Sequence, residues 1–207
     1  MKGTFITFEG CEGSGKSTQV ALLKEYLDKN KLNYDFTLEP GGTDICEKIR
    51  KIILDIENKS MVNECEALLY AASRQQLVCE RILPNLEKGK LVFCDRYIDS
   101  SIAYQAYARG LGVDYIESIN SYAIKNCMPK YTIFLNISPA EAFKRKGGVD
   151  KDDRLEQSGM EFHENVYKGY LNILKNNPER VIAIDCSGTK MQTHEKIINE
   201  LKKRGVL

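Results

Sequence analysis

The sequence predicts an α/β fold, a doubly wound parallel sheet of five strands with helices on both faces. Strand-like and helical segments alternate along the chain, and each strand-like segment is short and largely apolar, as a strand covered on both faces is. The predicted strands are residues 3–8, 34–38, 91–95, 131–136 and 181–185. The predicted helices are residues 16–29, 43–55, 62–88, 114–125, 139–146, 159–176 and 192–204.

The connection between the first strand and the first helix carries the most informative motif. Its sequence, Gly10-Cys11-Glu12-Gly13-Ser14-Gly15-Lys16-Ser17, fits the pattern G-x-x-x-x-G-K-[ST] of a phosphate-binding loop (P-loop). Backbone N–H groups of such a loop surround an anion, the lysine reaches the β- and γ-phosphates, and the hydroxyl binds Mg²⁺. A glycine turn with a chance lysine is the alternative, which the flanking strand and helix disfavour. We therefore predict a P-loop NTPase fold that binds ATP and Mg²⁺ through Gly10, Cys11, Glu12, Gly13, Ser14, Gly15, Lys16, Ser17 and Thr18.

Two further motifs follow predicted strands, where ligands of open parallel sheets bind. Asp95-Arg96-Tyr97 ends the third strand. Asp95 is predicted to hold Mg²⁺ directly or through water, and Arg96 to grip a phosphate, although Asp95 could also be a plain helix cap. Glu39-Pro40-Gly41-Gly42-Thr43 ends the second strand and leads into a helix carrying Arg50. A turn with Thr43 as N-cap is the simpler interpretation of this segment, and that role is compatible with ligand binding by the same segment.

One helix offers a candidate base-binding surface. Tyr70 and Arg74 are four residues apart within the predicted helix 62–88 and therefore share a face. An aromatic ring and a guanidinium on one face suit stacking on a base and hydrogen bonding to its carbonyls. A core tyrosine beside a solvated arginine would be the better interpretation if this helix stood alone.

Composition narrows the class of protein. Thirty basic and 29 acidic residues give a formal net charge of +1, so no strong field indicates nucleic acid or an anionic membrane as a partner. No apolar run approaches bilayer length, the first strand begins almost at the first residue, and no linker or repeat interrupts the chain. These features predict a single cytoplasmic domain over residues 1–207. The seven cysteines form no C-x-x-C pair and are predicted to be reduced and mostly buried.

The chain resembles bacterial-type thymidylate kinases from end to end. The P-loop alone would indicate only a large superfamily, whereas the other matching motifs are far more specific in this order and spacing. They are Glu39-Pro40-Gly41-Gly42-Thr43, Ala71-Ala72-Ser73-Arg74, Asp95-Arg96-Tyr97, Ser100-Ser101-Ile102-Ala103-Tyr104-Gln105 and Asp153-Arg154-Leu155-Glu156. The resemblance implies transfer of the ATP γ-phosphate to thymidine 5′-monophosphate (dTMP), which gives the diphosphate for dTTP synthesis. It also implies a five-stranded parallel sheet and a homodimer.

The resemblance also implies roles for individual substrate-binding residues. Arg50 and Arg96 would bind the dTMP phosphate, and Glu12 would lie near the sugar 3′-hydroxyl. Around the base, the implied contacts are stacking by Tyr70, a carbonyl hydrogen bond from Arg74, pairing of Gln105 with the base edge, a pocket wall from Ser101, and exclusion of ribose by Tyr104. Glu39 and Pro40 complete the predicted substrate site.

A lid over residues 145–156 is predicted to supply a catalytic cation. The variable P-loop positions Cys11 to Ser14 contain no basic residue, whereas one branch of the family carries an arginine there. The polar, glycine-broken segment that begins at Arg145 could cover the reaction and exclude water. We predict Arg154 as the catalytic arginine and Arg145 as the second choice, with Lys16, Arg96 and Asp95 as the other catalytic residues. A solvated surface loop is the alternative for this segment.

Two departures from the family pattern and several rival functions remain. Leu38 precedes Glu39 where family members commonly have arginine, and Ala106 replaces a frequent glycine. A GTPase is disfavoured because no Asn-Lys-x-Asp motif follows a strand. A kinase for another nucleoside or monophosphate, and a non-catalytic nucleotide-binding module, remain open.

Overall fold

Five strands form one parallel sheet in the computed structural model, which describes residues 2–146, 155 and 158–207. The strands are β1 (Thr4–Glu9), β2 (Tyr34–Leu38), β3 (Leu91–Asp95), β4 (Tyr131–Asn136) and β5 (Val181–Asp185). Their order across the sheet is β2-β3-β1-β4-β5, and each neighbouring pair is parallel. The predicted α/β class and all five strands are confirmed.

Helices connect the strands. They are α1 (Lys16–Lys29), α2 (Asp44–Leu54), α3 (Asn63–Leu77), α4 (Leu83–Glu87), α5 (Ile98–Ser101), α6 (Val113–Ile119), α7 (Ser121–Cys127), α8 (Pro139–Lys146), α9 (Met160–Asn176) and α10 (Lys190–Lys203). A π-helical segment, Val78–Ile82, joins α3 to α4, and a second, Ile102–Ala108, extends α5. No helix in the described part of the chain is both long and apolar enough to cross a bilayer.

The two faces of the sheet bury separate apolar clusters. Ile6 and Phe8 of β1 point to one face, where they pack with residues of α1 and α10 such as Leu23 and Ile197. Phe5, on the opposite face, packs with α3 and the π-helical segment that follows it. Because both faces are covered, the strands are largely apolar, which is the pattern that the sequence shows.

The register of the sheet brings three sequence motifs together. Leu38 of β2 lies beside Asp95 of β3, and Asp95 lies beside Phe8 of β1. The segments that follow these residues are the Glu-Pro-Gly-Gly-Thr segment, the Asp-Arg-Tyr segment and the P-loop. They therefore emerge side by side at the carboxyl edge of the sheet, where ligands bind in open α/β folds.

The helical prediction was wrong in two places. No helix was predicted over α5 and its π-helical extension, and residues 114–125 were predicted as one helix although α6 and α7 divide at Asn120. Both differences have a tertiary cause. The Glu9 carboxylate accepts the backbone N–H of Tyr97, 2.7 Å away, at the start of α5. The Asn120 side chain accepts a hydrogen bond from Arg74 at 2.7 Å.

Candidate active site

A cleft of about 190 Å³ lies at the carboxyl ends of β1, β2 and β3. Twelve of the residues predicted from sequence to form the site line it. They are Glu12, Lys16, Ser17, Glu39, Pro40, Arg50, Tyr70, Asp95, Arg96, Ser101, Tyr104 and Gln105. Leu38, Leu54, Ser100 and Leu155 complete the lining and were not predicted to bind. We refer to this space as the inner cleft.

The P-loop places Lys16 in the lining of the inner cleft. Gly15 has a left-handed backbone with φ of 92°, a conformation that glycine adopts without strain, and it turns the chain into α1. The Lys16 side chain folds back over the loop, so that Nζ donates to the carbonyls of Gly10 at 3.1 Å and Cys11 at 3.4 Å. Burial lowers the pKa of Lys16, and the nearby Arg96 guanidinium lowers it further. An anion in this loop would stabilise that charge.

Arg96 also lines the inner cleft and is held by several contacts. Its φ of 69° lies in the left-handed region, which is uncommon for a side chain of this size and which the surroundings must stabilise. Its guanidinium pairs with Glu12, donates to the Gly10 carbonyl at 3.1 Å, and lies 5.1 Å from the centre of the Tyr104 ring. The planar donor group is therefore fixed at the cleft wall, where it can bind a phosphate in bidentate fashion.

Arg50 lies on the β2 side of the cleft. It comes from α2 and donates to the carbonyl of Pro40 at 2.6 Å. The peptide bond between Glu39 and Pro40 is cis. Two arginines, Arg50 and Arg96, thus line the same cleft that contains Lys16.

The cleft lining also combines aromatic rings with neutral polar groups. Tyr70 of α3 lines the cleft with Ser101, Tyr104 and Gln105 of α5 and its π-helical extension. Leu54 and Leu155 add apolar surface. A flat surface with a few directional hydrogen-bonding groups is the chemistry that recognises a nucleobase.

Arg74 lies beneath this cleft rather than in its lining. The side chain is 1% exposed, and its guanidinium donates to Glu39 at 2.8 Å, Asn120 at 2.7 Å, Ser101 at 3.1 Å and the Tyr97 carbonyl at 3.1 Å. It therefore holds together three other segments of the chain, and two of its partners, Glu39 and Ser101, line the cleft. Its direct contact with a base stays a prediction.

The predicted Mg²⁺ ligands Ser17 and Asp95 line the inner cleft as well. Oδ1 of Asp95 is buried and has no hydrogen-bond partner within the described structure. This fits a carboxylate that binds a cation. No cluster of three or more histidine, cysteine, aspartate or glutamate side chains suited to a metal occurs among the described residues. The donor set is thus one carboxylate and one hydroxyl, as expected where phosphates and water supply the other Mg²⁺ ligands.

A second cleft, of about 640 Å³, opens on the other side of the P-loop. It shares Glu12, Lys16 and Ser17 with the inner cleft, and we call it the outer cleft. The rest of its lining is Gly13, Ser14, Gly15, Thr18, Gln19, Arg145, Cys186, Gly188, Lys190 and Thr193. Arg145 donates to the carbonyls of Cys186 and Ser187, at 2.5 and 3.1 Å. Arg154 lies outside the described residues, as does most of the predicted lid.

Comparison with known proteins decides the family. The thymidylate kinase family profile matches residues 8–197. The chain belongs to the thymidylate kinase family. It is similar to thymidylate kinases of Thermoanaerobacter sp. (strain X514), with 46% identity covering 98% of this chain and 99% of the relative, and of Bacillus velezensis, with 46% identity covering 99% of both. The crystal structure of thymidylate kinase from Ehrlichia chaffeensis superposes with a TM-score of 0.78 at 33% identity, covering 97% of this chain and 98% of that one.

Glu9 is a neighbour of this thymidylate kinase site that the sequence analysis did not single out. It ends β1, is fully buried, and accepts hydrogen bonds from Ser100 Oγ at 2.6 Å and Tyr170 Oη at 2.8 Å, besides the Tyr97 N–H. The only local indication was a charged residue ending an apolar strand. Burial raises the pKa of Glu9 to about 7, and the Asp99 carboxylate contributes to the shift.

The raised pKa of Glu9 predicts a pH-dependent stability. A carboxyl whose pKa is higher in the folded than in the unfolded protein stabilises the fold at low pH, and this contribution is lost as pH rises through about 7. Between pH 5 and 8 the free energy of unfolding should therefore fall by about 1–3 kcal/mol more in the wild type than in Glu9→Gln. Denaturant titrations of both proteins at intermediate pH values check this. Parallel curves would show that Glu9 does not titrate in this range.

Proposed function

We propose that this chain transfers the γ-phosphoryl group of ATP to dTMP and forms dTDP and ADP. The observation that carries the proposal is a single cleft lined by Lys16, two arginines, the aromatic rings of Tyr70 and Tyr104, and neutral polar side chains. A nucleoside monophosphate combines the same two requirements, a charged phosphate and a flat base. The P-loop between the two clefts would bind the triphosphate of the donor, with ATP in the outer cleft and dTMP in the inner cleft.

The proposed roles follow from the chemistry of each lining residue. Arg50 and Arg96 would bind the acceptor phosphate, and Glu12 and Tyr104 would contact the sugar. Tyr70 would stack on thymine, while Ser101 and Gln105 would meet its polar edge. Arg74 would hold Ser101 and Glu39 in place through its hydrogen bonds to them, or would contact a thymine carbonyl directly. A wrong base in such a pocket would leave buried polar groups unpaired, which disfavours its binding.

Catalysis would consist of positioning and charge stabilisation, because phosphoryl transfer requires little covalent help from the protein. Lys16 lines both clefts and Arg96 lines the inner cleft, and their cations would stabilise charge on the phosphoryl oxygens. Ser17 and Asp95 would hold Mg²⁺, which neutralises phosphate charge when bound. We propose residues 145–156 as the lid, with Arg154 as the first and Arg145 as the second candidate for a further catalytic cation.

A substrate panel tests this function. Purified protein with ATP and Mg²⁺ should form dTDP from dTMP with much higher kcat/KM than it shows for dCMP, dGMP, dAMP or thymidine. Preference for another acceptor would indicate a different small-molecule kinase. Binding of ATP with no acceptor phosphorylated would indicate a non-catalytic nucleotide-binding module.

Replacement of Gln105 by leucine tests how the base is read. The substitution keeps a side chain of similar size and removes the amide, so that one hydrogen bond to the base is lost. We expect the ratio of kcat/KM for dTMP over dCMP to fall by roughly 5- to 160-fold, as a lost contact of about 1–3 kcal/mol predicts. Steady-state kinetics on both substrates measure the ratio. An unchanged ratio would show that Gln105 does not read the base.

Two further properties stay proposals from the family resemblance. We propose a homodimer, which light scattering or sedimentation at several concentrations would measure, and a cytoplasmic location.

A further inference from the structure

An ion pair with a buried carboxylate lies next to Gln105, which lines the inner cleft. Glu66 of α3 is 1% exposed and pairs with Arg109, whose Nη2 lies 3.2 Å and whose Nε lies 3.3 Å from the carboxylate oxygens. The Arg109 guanidinium in turn lies 4.5 Å from the centre of the Phe162 ring. A carboxylate buried in this way requires its cation, so the pair forms a fixed unit within the fold. Neither residue was singled out from the sequence, and neither lines the cleft.

The Glu66 carboxylate also accepts a hydrogen bond from the Gln105 side-chain amide. Gln105 Nε2 lies 2.9 Å from Glu66 Oε1. A carboxylate accepts hydrogen bonds and does not donate them, so the NH₂ end of the Gln105 amide must face Glu66. The carbonyl end, Oε1, is then directed away from Glu66, and within the described residues no donor hydrogen-bonds to it. Since Gln105 lines the inner cleft, its side chain offers the cleft an acceptor.

The direction of this amide bears on which pyrimidine can bind. Thymine carries an N–H donor at N3, whereas cytosine carries a lone pair at N3 and an amino donor at C4. An acceptor fixed at Gln105 matches the thymine N3–H and repels the cytosine N3. An amide free to rotate could instead turn its NH₂ group to the cleft and bond with cytosine.

We propose that the Glu66–Arg109 pair fixes the Gln105 amide with its oxygen toward the inner cleft and thereby selects a pyrimidine with an N3–H. Glu66 is thus a positioning residue for specificity, which acts through Gln105 and does not itself line the cleft. The inference rests on the proposed function, because it concerns how the acceptor of that reaction is chosen.

The variant Glu66→Gln tests the proposal. Both oxygens of the Glu66 carboxylate accept from Arg109, and Oε1 also accepts from Gln105, so an amide at this position cannot accept from all of these donors. When the new NH₂ group takes the place of Oε1, Gln105 must turn its oxygen toward it and its own NH₂ group toward the cleft. The ratio of kcat/KM for dTMP over dCMP should therefore fall by roughly 10-fold, with a loss for dTMP and a gain for dCMP. Glu64→Gln, an identical change at an exposed position of the same helix, should leave the ratio at its wild-type value.

A double substitution separates positioning from a merely structural effect. In a Gln105→Leu background, adding Glu66→Gln should not change the dTMP/dCMP ratio further, because the group through which Glu66 acts is gone. Should Glu66→Gln not fold, Glu66→Asp keeps the charge for Arg109 and withdraws it by one methylene from Gln105, and the ratio should fall again. A wild-type ratio in the single variants, or equal losses on both substrates, overturns this inference and leaves the proposed function standing. Absence of dTMP phosphorylation by the wild type overturns the proposed function instead.

Discussion

Replacement of Lys16 by alanine is expected to lower the turnover of ATP and dTMP by roughly 100-fold or more while the fold stays intact. Lys16 is 8% exposed and lines both clefts, so its ammonium is the one lysine charge shared by donor and acceptor spaces within the described structure. Its Nζ donates hydrogen bonds to two P-loop carbonyls, and from this position it can reach a bound phosphate. Steady-state kinetics together with circular dichroism measure the effect.

The control for this variant is Lys29→Ala. Lys29 belongs to the same helix, α1, and is exposed at its far end. The substitution Lys29→Ala removes the same charge at a position that lines neither cleft, and this variant should retain wild-type turnover. Near wild-type turnover in Lys16→Ala would contradict the assignment of the loop as the triphosphate site.

Replacement of Arg154 by alanine is expected to lower kcat on the order of 10³-fold with a modest change in the KM for dTMP. A cation that acts on charge formed only in the transition state affects kcat more than substrate binding, and arginines in this role contribute roughly 10³–10⁵ in rate. The motivation is the sequence: the P-loop carries no basic residue from Cys11 to Ser14, and the predicted lid has an arginine near each end. Arg154→Lys should restore activity only in part, because lysine lacks the planar donor group.

Arg145→Ala provides the matched comparison for Arg154. Arg145 lines the outer cleft and donates to two carbonyls that follow β5, which suits a role in forming the donor site. We expect its loss to raise the KM for ATP more than it lowers kcat. If the kcat defect appears in Arg145→Ala instead, the lid proposal stands and the choice of Arg154 was wrong. Effects of a few-fold in both variants would place the catalytic cation elsewhere.

Local sequence pattern was sufficient for the sheet. Each strand is an apolar run with clear breaks, so the five strands were found, with β1 shifted by one residue to Thr4–Glu9. The helix at Ile98–Ser101 and its π-helical extension escaped prediction because a distant carboxylate, Glu9, accepts the N–H groups at its start. Asn120 likewise divides α6 from α7 where a helical pattern continues.

Most of the inner-cleft lining was also predictable from local sequence motifs. Motifs that follow β1, β2 and β3 predicted most of its lining, because the carboxyl ends of neighbouring parallel strands lie together. The burial of Arg74 beneath the cleft was not predictable, since its partners come from three other segments. Glu66 and Tyr170 were missed for the same cause: only the tertiary fold places them against Gln105 and Glu9.

In the proposed reaction the inner cleft holds dTMP and the outer cleft holds the ATP that phosphorylates it. A crystal structure with dTMP and a non-hydrolysable ATP analogue tests this placement most directly. We expect the dTMP phosphate between Arg50 and Arg96, thymine against Tyr70 and Gln105, and the analogue's triphosphate over Lys16. Density for dTMP outside the inner cleft, or with thymine against Arg50 and Arg96, would show that the inner cleft is not the dTMP site.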